Sequence, residues 1–573
     1  MSEQGKEQIS RRGFLKGSAA GAVVAVGLGS QTAQAAGRKP PKWDKTTDVL
    51  IIGYGGAGAC AAIEAADAGA KVLVLEKQPQ ATLRSNTRMS GGIFHSPNVT
   101  GDKAALKEYA KAMFSGENLP WKLEGEQPEV SDGLAQAWAD WAPQNLEWLK
   151  KLDPEVEGVP LATFKGAAFP QFPGAAACKY EVYAASFTGR ITNGKPTMNA
   201  PKSEKMRGEA FWAVLNGGVQ ARTKNVDIVY EAPAQELVTN DKGEVIGAIA
   251  QRKGKPFAVR ARRAVILTCG GYEYNKAMRK AFIEGPGVEG WAFYGTPDNT
   301  GDGIEMALAI GAGMMKAGKA ASRVIFAAPI RHHGLKMGVI TPVVGAPNSL
   351  MVDNFGKRYA AETKVTDDPS RYFFYKEAVR FDINQLIYSR SPSWLVFDET
   401  LRTARSITEL GISTAGYDFV PWSKDNQDAI DRGWILKADS IEELAGKIAA
   451  HPENRKLMNK DNLVQTVARF NDFCAKGKDE DFGRRDKTLA PVAKGPFYAL
   501  PLIAGGPNTK GGISANAKRE VLNWKGEAIP RLFTAGELSS ALKFVYQGGG
   551  NLTECIVMGR IAGRNAAAQK PLA

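Results

Sequence analysis

"TDVLIIGYGGAGACAAIEAADAGAKVLVLEK", from Thr47 to Lys77, is the stretch on which the fold turns. Val49–Ile52 is an unbroken apolar run, the pattern of a parallel strand buried on both faces. Gly53, Gly55 and Gly58 follow with the spacing G-x-G-x-x-G. Ala59 to Ala68 has helix composition, and "KVLVLE" is a second strand that closes on Glu76, 23 residues after Gly53. A glycine triplet alone says little. Strand, glycine loop, helix, strand and acid in register predict a dinucleotide-binding unit. Its glycines let a pyrophosphate meet the helix N-terminus, where free N–H groups and the helix dipole favour anions. Glu76 is the expected acceptor for ribose hydroxyls.

Working outward from that unit, the chain of 573 residues has room for two or three domains. It is 44% hydrophobic and 23% charged, a globular composition. The net charge of +14 is scattered. No basic run is interleaved with aromatics and no nucleic-acid motif is present, so nucleic acid is not an expected partner. The five cysteines, Cys60, Cys178, Cys269, Cys474 and Cys555, make no C-x-x-C, haem or iron–sulfur spacing. Cys60, Cys269 and Cys555 stand among small and apolar residues, as buried thiols do. The four histidines, His95, His332, His333 and His451, have no metal-ligand spacing. A metal enzyme is not expected.

Ahead of the unit, "SRRGFLK" (Ser10 to Lys16) precedes an apolar, Ala- and Gly-rich stretch, Gly17 to Gly29, and "AQA" at Ala33 to Ala35. This is the pattern of a twin-arginine signal with a small-residue cleavage site. The apolar stretch is too short to span a bilayer, and no second run of spanning length follows. The expectation is therefore a folded, cofactor-bearing protein exported to the periplasm, with no membrane span in the mature chain.

Behind the unit come "RSNTRMSGG" (Arg84 to Gly92), the strand–turn–strand "DIVYEAPAQELVTNDKGEVIGAIA" (Asp227 to Ala250), "RAVILTCGGYEYN" (Arg263 to Asn275), "NTGDGIEMALAIGAGM" (Asn299 to Met314) and "RLFTAGELSS" (Arg531 to Ser540). In this order, over nearly all of Thr47 to Ala567, these blocks resemble the FAD-dependent fumarate reductase and succinate dehydrogenase flavoprotein family, which includes urocanate reductase, 3-ketosteroid dehydrogenases and L-aspartate oxidase. The resemblance implies an α/β fold: a Rossmann-like FAD-binding domain of glutathione-reductase type with an inserted α+β capping domain. It implies FAD contacts at Gly53, Gly55, Gly56, Ala57 and Gly58, at Glu76 and Lys77, and at Ser85, Asn86, Thr87, Ser90, Gly91 and Gly92. Further contacts would fall on Ala234, Gly270, Asp302, Gly536 and Glu537. At the C-terminal run "VYQGGGNLTECIVMGRIAG" (Val545 to Gly563), Gly549, Asn551 and Leu552 would lie beside the isoalloxazine, with the following helix aimed at it. No histidine occupies the region that relatives use for covalent attachment, so the FAD is expected to be non-covalent.

The substrate side departs from fumarate reductases. Their second histidine motif reads here "PNTKGG" (Pro507 to Gly512), with Asn508 at the histidine position. Their last arginine is replaced by Gln547 in "YQGGGN". Those lost groups clamp a dicarboxylate, so fumarate and succinate are not expected substrates. Instead Tyr546 and Gly550 are spaced Y-x-x-x-G, similar to 3-ketosteroid dehydrogenases and related enone reductases. There a tyrosine hydroxyl and a glycine N–H hold the substrate carbonyl oxygen as an oxyanion hole. The family's proton donor follows a motif matched here by "GKRYAAE" (Gly356 to Glu362). The residue four further on is Thr366, a poor donor, so Arg371 or Tyr372 becomes the candidate, with Asp367 or Asp368 as proton shuttle.

The expected organisation is a signal at residues 1–35, a linker at 36–46, a flavin domain at 47–321 and 486–573, and a capping domain at 322–485. A tryptophan-rich helical excursion falls at roughly 100–215, as in "AWADWAPQNLEWLKKL" (Ala137 to Leu152). The expected activity is reduction of an activated C=C bond in a small-molecule substrate. A separate cytochrome or flavoprotein would supply electrons. The alternative is a ketosteroid-type dehydrogenase that introduces the double bond. A flavin-carrying protein without turnover is disfavoured by the capping insert and the Tyr546/Gly550 pair.

Overall fold

The unbroken apolar run Val49–Ile52 decides how the first sheet is buried. In the computed structural model the strands Lys45–Ile52 and Val72–Leu75 pair in parallel, Val49 opposite Val72 and Ile52 opposite Leu75. Val49, Ile51, Val72 and Val74 join one apolar cluster, while Leu50, Ile52, Leu73 and Leu75 join another on the opposite face. Successive strand side chains point to opposite faces, so both faces of this sheet are core. Eight strands make the sheet, including Val226–Val229, the long strand Lys255–Leu267, Ala528–Thr534 and the hairpin Ala234–Thr239/Val245–Arg252. The structure describes residues 42–120, 128–153, 157–160, 166–186, 207–320, 322–362, 369–408 and 420–573. The twin-arginine segment lies outside them.

The glycine loop leads into the helix Gly56–Asp67, on which the C-terminal helix Gly550–Ala567 lies. Their approach is governed by small residues. A Cβ on Gly559 would stand 2.7 Å from the Ala57 carbonyl oxygen, and one on Gly563 2.3 Å from that of Ala61. Both distances are too short for any side chain, so the i, i+4 glycines set the contact. The helical excursion is present as Lys103–Phe114, Pro128–Trp141, Asn145–Leu152 and Arg207–Gln220.

A second, seven-stranded sheet is ordered Trp291–Phe293, Leu335–Val339, Arg323–His332, Phe497–Gly506, Ser393–Asp398 and Ser349–Val352, with Leu436–Ala438 also pairing with Phe497–Gly506. Its central strand, Phe497–Gly506, and the strand Trp291–Phe293, which pairs with both Leu335–Val339 and Phe497–Gly506, come from outside residues 322–485. The two-stranded ribbon Met314–Ala320/Thr509–Ile513 follows directly from that central strand, with Ala320 opposite Thr509. Among the described residues no helix is long and apolar enough to cross a membrane.

Candidate functional site

Between the first sheet's glycine loop and the C-terminal glycine run lies a cleft of about 420 Å³, within the ~300–1,000 Å³ usual for ligand sites. Gly53 has φ +102°, a backbone conformation that L side chains rarely adopt. Gly55 caps the helix Gly56–Asp67 without a side-chain cap, and no acidic residue stands in the first turn. A Cβ on Gly55 would find Ser85 at 3.7 Å and otherwise open space. The loop is thus bare on the side where Gly53, Gly55, Gly56 and Ala57 line the cleft. Gly58 stands behind it: its Cβ would lie 2.1 Å from the Gly53 carbonyl oxygen, so its role is to bring helix and loop together.

Glu76 is buried at the end of its strand. Its carboxylate accepts from the Tyr54 N–H at 2.7 Å and the Gln78 N–H at 2.8 Å, leaving lone pairs for the cleft. Burial raises its pKa, against the pull of those two bonds. Lys77 is held by Asp302 at 2.8 Å and Thr300 at 2.9 Å. Thr87 Oγ1 accepts from the Gly56 N–H at 3.0 Å. Asn86 accepts from the Thr296 N–H at 2.6 Å and donates to Glu537 at 3.0 Å, which fixes its amide. Lys77, Asp302, Asn86, Thr87 and Glu537 line the cleft, as do Ser85, Ser90, Gly91, Ala234, Gly270 and Gly536. Gly92 does not; a Cβ there would stand 2.2 Å from the Arg207 carbonyl oxygen, so it serves packing.

One carboxylate near this wall was not foreseen. Glu273 is fully buried, and Glu537 beside it shares its donors: Thr509 N–H reaches Glu273 at 3.3 Å and Glu537 at 3.2 Å. Burial raises both pKa values, and the neighbouring carboxylate pushes Glu273 higher still. No sequence spacing links these acids, which stand on different strands' ends.

At the other end Gly549 caps the C-terminal helix with φ +97° and no side-chain cap. Gly549, Asn551, Leu552 and Tyr546 line the cleft. The run is backed by His95. Its Nε2 is 2.8 Å from the Gly548 carbonyl oxygen and its Nδ1 is 2.7 Å from the Tyr180 hydroxyl. A carbonyl only accepts, so Nε2 carries the hydrogen and Tyr180 donates to Nδ1. Burial lowers the His95 pKa to about 4. A histidine held neutral when folded stabilises fully above its unfolded value of ~6.5. That contribution is lost as pH falls from ~6.5 toward 4, at up to about 1.4 kcal/mol per pH unit. The urea midpoint of the wild-type protein should fall through this window. That of His95→Gln, lower at neutral pH, should fall less steeply; equal slopes would remove His95 from the account.

Gly550 departs from expectation. Its N–H donates to the Gln547 carbonyl oxygen at 3.0 Å, closing the turn into the helix, and Gly550 is not among the lining residues. The backbone donor expected for an oxyanion is therefore committed locally. Gln547 is buried with its Oε1 accepting from the Tyr109 hydroxyl at 2.7 Å. Asn508 lines the cleft. Four ends of second-sheet strands converge beside it, placing Tyr294, Arg323, Ile340 and Pro507 on the same wall. Arg371 and Tyr372 fall in the helix Pro369–Ala378, but their side chains lie outside the described residues, as do Thr366, Asp367 and Asp368.

Sequence reasoning also passed over Lys510. It is 1% exposed, and its Nζ donates to Ser540 Oγ at 3.1 Å, to Glu554 Oε2 at 3.2 Å and to Asn551 Oδ1. It also stands 5.2 Å from the Tyr546 ring centre. A lysine beside paired glycines in "PNTKGG" reads as surface charge until the Glu554 contact is known. Cys269 and Cys555 line the cleft as thiols, pushed up to about 12 by burial.

Residues 48–552 match the FAD binding domain family. The chain is 28% identical to a digoxin reductase of Eggerthella lenta, over 98% of both chains. It is 25% identical to a fumarate reductase (cytochrome) of Shewanella frigidimarina, over 91% of this chain and 77% of that one. In fold it is similar to a 3-ketosteroid delta1-dehydrogenase of Sterolibacterium denitrificans, at TM-score 0.71 and 22% identity, over 92% of this chain and 100% of that one.

Proposed function

We propose, for a chain that belongs to the FAD binding domain family, reduction of a C=C bond activated by a neutral carbonyl group. The protein is an FAD-dependent oxidoreductase acting on CH–CH groups. The bare loop at Gly53–Ala57, the buried acceptor Glu76 and the uncapped helix end at Gly549 fit the cofactor. Bound there, FAD supplies the two-electron chemistry, which side chains alone cannot.

The single observation that carries the substrate reading is the cleft end itself. A tyrosine faces it with the neutral amide of Asn508 on the same wall, and Gln547, where the family resemblance puts a dicarboxylate enzyme's arginine, is neutral and turned to the Tyr109 hydroxyl. Adding hydride to Cβ of an α,β-unsaturated carbonyl moves charge onto the carbonyl oxygen. The Tyr546 hydroxyl donates to that oxygen and stabilises the enolate as it forms. A proton then goes to Cα, and Arg371 or Tyr372 is the proposed donor. The positive end of the C-terminal helix favours negative charge at Gly549. The buried Lys510 does not make the site cationic, because Glu554 balances it.

The FAD is proposed to be non-covalent, and both His95 ring nitrogens are already engaged. Electrons are proposed to come from a separate cytochrome or flavoprotein, and the location is proposed to be periplasmic through the twin-arginine leader. The names of the relatives support reduction: a digoxin reductase and a fumarate reductase. The ketosteroid-type dehydrogenase reading keeps the same Tyr546 role in the opposite direction.

The test is anaerobic. The holoenzyme is reduced with dithionite, then mixed with 2-cyclohexen-1-one, methyl acrylate or fumarate while flavin absorbance is followed. Reoxidation by the two neutral compounds is expected, with fumarate slower by about 10² or more, the cost of a missing charged partner. Fumarate reacting fastest would overturn the proposal.

A further inference from the structure

The site lacks the second oxyanion donor, since the Gly550 N–H closes a turn. Hydrogen-bond polarity around Lys510 supplies another. An ammonium has three hydrogens and no acceptor. Here each hydrogen has one partner: Ser540 Oγ, Glu554 Oε2 and Asn551 Oδ1. Ser540 can accept because its own hydrogen goes to Glu554 at 2.7 Å. Asn551 must therefore turn its oxygen to Lys510, which points its amide nitrogen the other way. That nitrogen donates to Asn508 Oδ1 at 2.8 Å. Asn508 must in turn present its own nitrogen away from Asn551. One of its two hydrogens goes to the Thr509 carbonyl oxygen at 2.9 Å. Among the described residues the other has no partner, and Asn508 lines the cleft together with Asn551 and Tyr546.

We propose that Lys510 is a positioning residue which, through Asn551, locks Asn508 as a hydrogen-bond donor to the cleft, so that the site favours ketone, ester or lactone carbonyls over hydroxyls of the same shape, whose oxygen can accept from Asn508 but whose own hydrogen then meets only donors. This rests on the carbonyl-substrate reading above. An amide free to rotate by half a turn offers either polarity and discriminates little. An amide at the end of a chain anchored by an ammonium offers one. The buried Lys510–Glu554 pair is the anchor because a lysine cannot reverse its role, as a serine or a glutamine could. Glu554 is itself fixed, accepting from the Ala541 N–H at 2.6 Å and the Leu542 N–H at 3.3 Å.

The experiment measures binding of 2-cyclohexen-1-one and 2-cyclohexen-1-ol to oxidised holoenzyme by perturbation of the flavin spectrum, beside steady-state reduction of the enone. Wild-type protein should bind the ketone about tenfold tighter than the alcohol, the cost of leaving the alcohol's hydrogen without an acceptor beside Asn508 and Tyr546. Lys510→Met removes the anchor, and the ratio should collapse toward one. KM for the enone should rise roughly tenfold while kcat, carried by Tyr546, moves by less than about threefold. Lys510→Gln keeps the volume but can donate or accept, so it should give an intermediate ratio; it answers the question if the methionine variant does not fold. Asn508→Asp, which has no hydrogen to give, should weaken ketone binding with Lys510 intact. A wild-type ratio near one, or a ratio unchanged in either Lys510 variant, overturns the inference while enone reduction stands. A protein that reduces no α,β-unsaturated carbonyl compound at all overturns the function first, and the inference with it.

Discussion

Replacing Tyr546 by phenylalanine is expected to lower turnover of the best enone substrate by about 10²–10³, the usual loss for one oxyanion donor. Flavin content should not change. The ring is part of the wall beside Gly550, with Tyr546 Cε2 3.6 Å from where a Gly550 Cβ would stand, and phenylalanine keeps that surface. It also keeps the aromatic face near the Lys510 ammonium. Alanine would be the wrong probe, because it would loosen the glycine run and confuse packing with chemistry. The variant loses a hydroxyl and nothing else. The loss should appear in the chemical step, read as the single-turnover rate of flavin reoxidation after rapid mixing with enone. Ground-state binding of the ketone should weaken far less, since the bond strengthens as charge develops. A single-turnover rate within threefold of wild type would mean that the tyrosine packs and does not catalyse. Asn508 alone would then have to carry the oxygen.

The second large effect is on the cofactor. Gly58→Ala should purify as a folded protein almost free of FAD. The added methyl would sit 2.1 Å from the Gly53 carbonyl oxygen and 2.9 Å from the Thr268 hydroxyl. Neither can yield cheaply. Gly53 is fixed by its N–H to the Leu75 carbonyl oxygen at 2.8 Å, and Thr268 by its hydroxyl to the Ile52 and Gly53 carbonyls. The helix must therefore back away from the loop, and its first N–H groups leave the place where a pyrophosphate would sit. Overpacking of this kind costs about 3 kcal/mol, or ~150-fold in cofactor affinity. Gly217→Ala is the control: nothing stands within 4 Å of its Cβ, it lies within the helix Arg207–Gln220, and alanine there should be neutral or mildly stabilising. Normal FAD content in Gly58→Ala, measured as the ratio of visible to ultraviolet absorbance, would show that the loop adapts.

What could be read before any coordinates follows from the range of the forces involved. The first sheet was legible because Val49–Ile52 and Val72–Leu75 each declare burial on both faces within a few residues, and because the glycine spacing answers to a local turn. The lining of the cleft was legible for the same reason, block by block, except at Gly58 and Gly92, where a glycine needed for packing looks in sequence like one that lines a cleft. The catalytic end was harder. Tyr546 announced itself, but Gly550 could not reveal that its N–H returns to Gln547. Lys510 and Glu554 are 44 positions apart, and nothing in either neighbourhood marks a buried pair. His95 and Gly548 are 453 apart, and a lone histidine after a short strand says nothing of the carbonyl it supports. The second sheet draws strands from before and after the expected insert because Phe497–Gly506 is apolar enough to be central in any sheet. Residues 363–368 and the side chains of Arg371 and Tyr372 are not described, so the proton donor rests on sequence alone.

The glycine contacts between Gly56–Asp67 and Gly550–Ala567 bear on the order of events during synthesis. The helix that begins the phosphate side of the cleft leaves the ribosome before all the described strands but Lys45–Ile52. The helix that finishes the flavin side, and whose glycines seat it on Ala57 and Ala61, is made after every described strand of both sheets. Until it arrives, the alanine face of the first helix is exposed and the cleft has no second wall. A nascent chain therefore cannot hold the flavin, however far its first sheet has folded. Loading waits for that helix, and its partner is an apoprotein in which Gly550–Ala567 is docking. Cells short of flavin would accumulate that species, with its small-residue groove open, and not a truncated or unfolded chain.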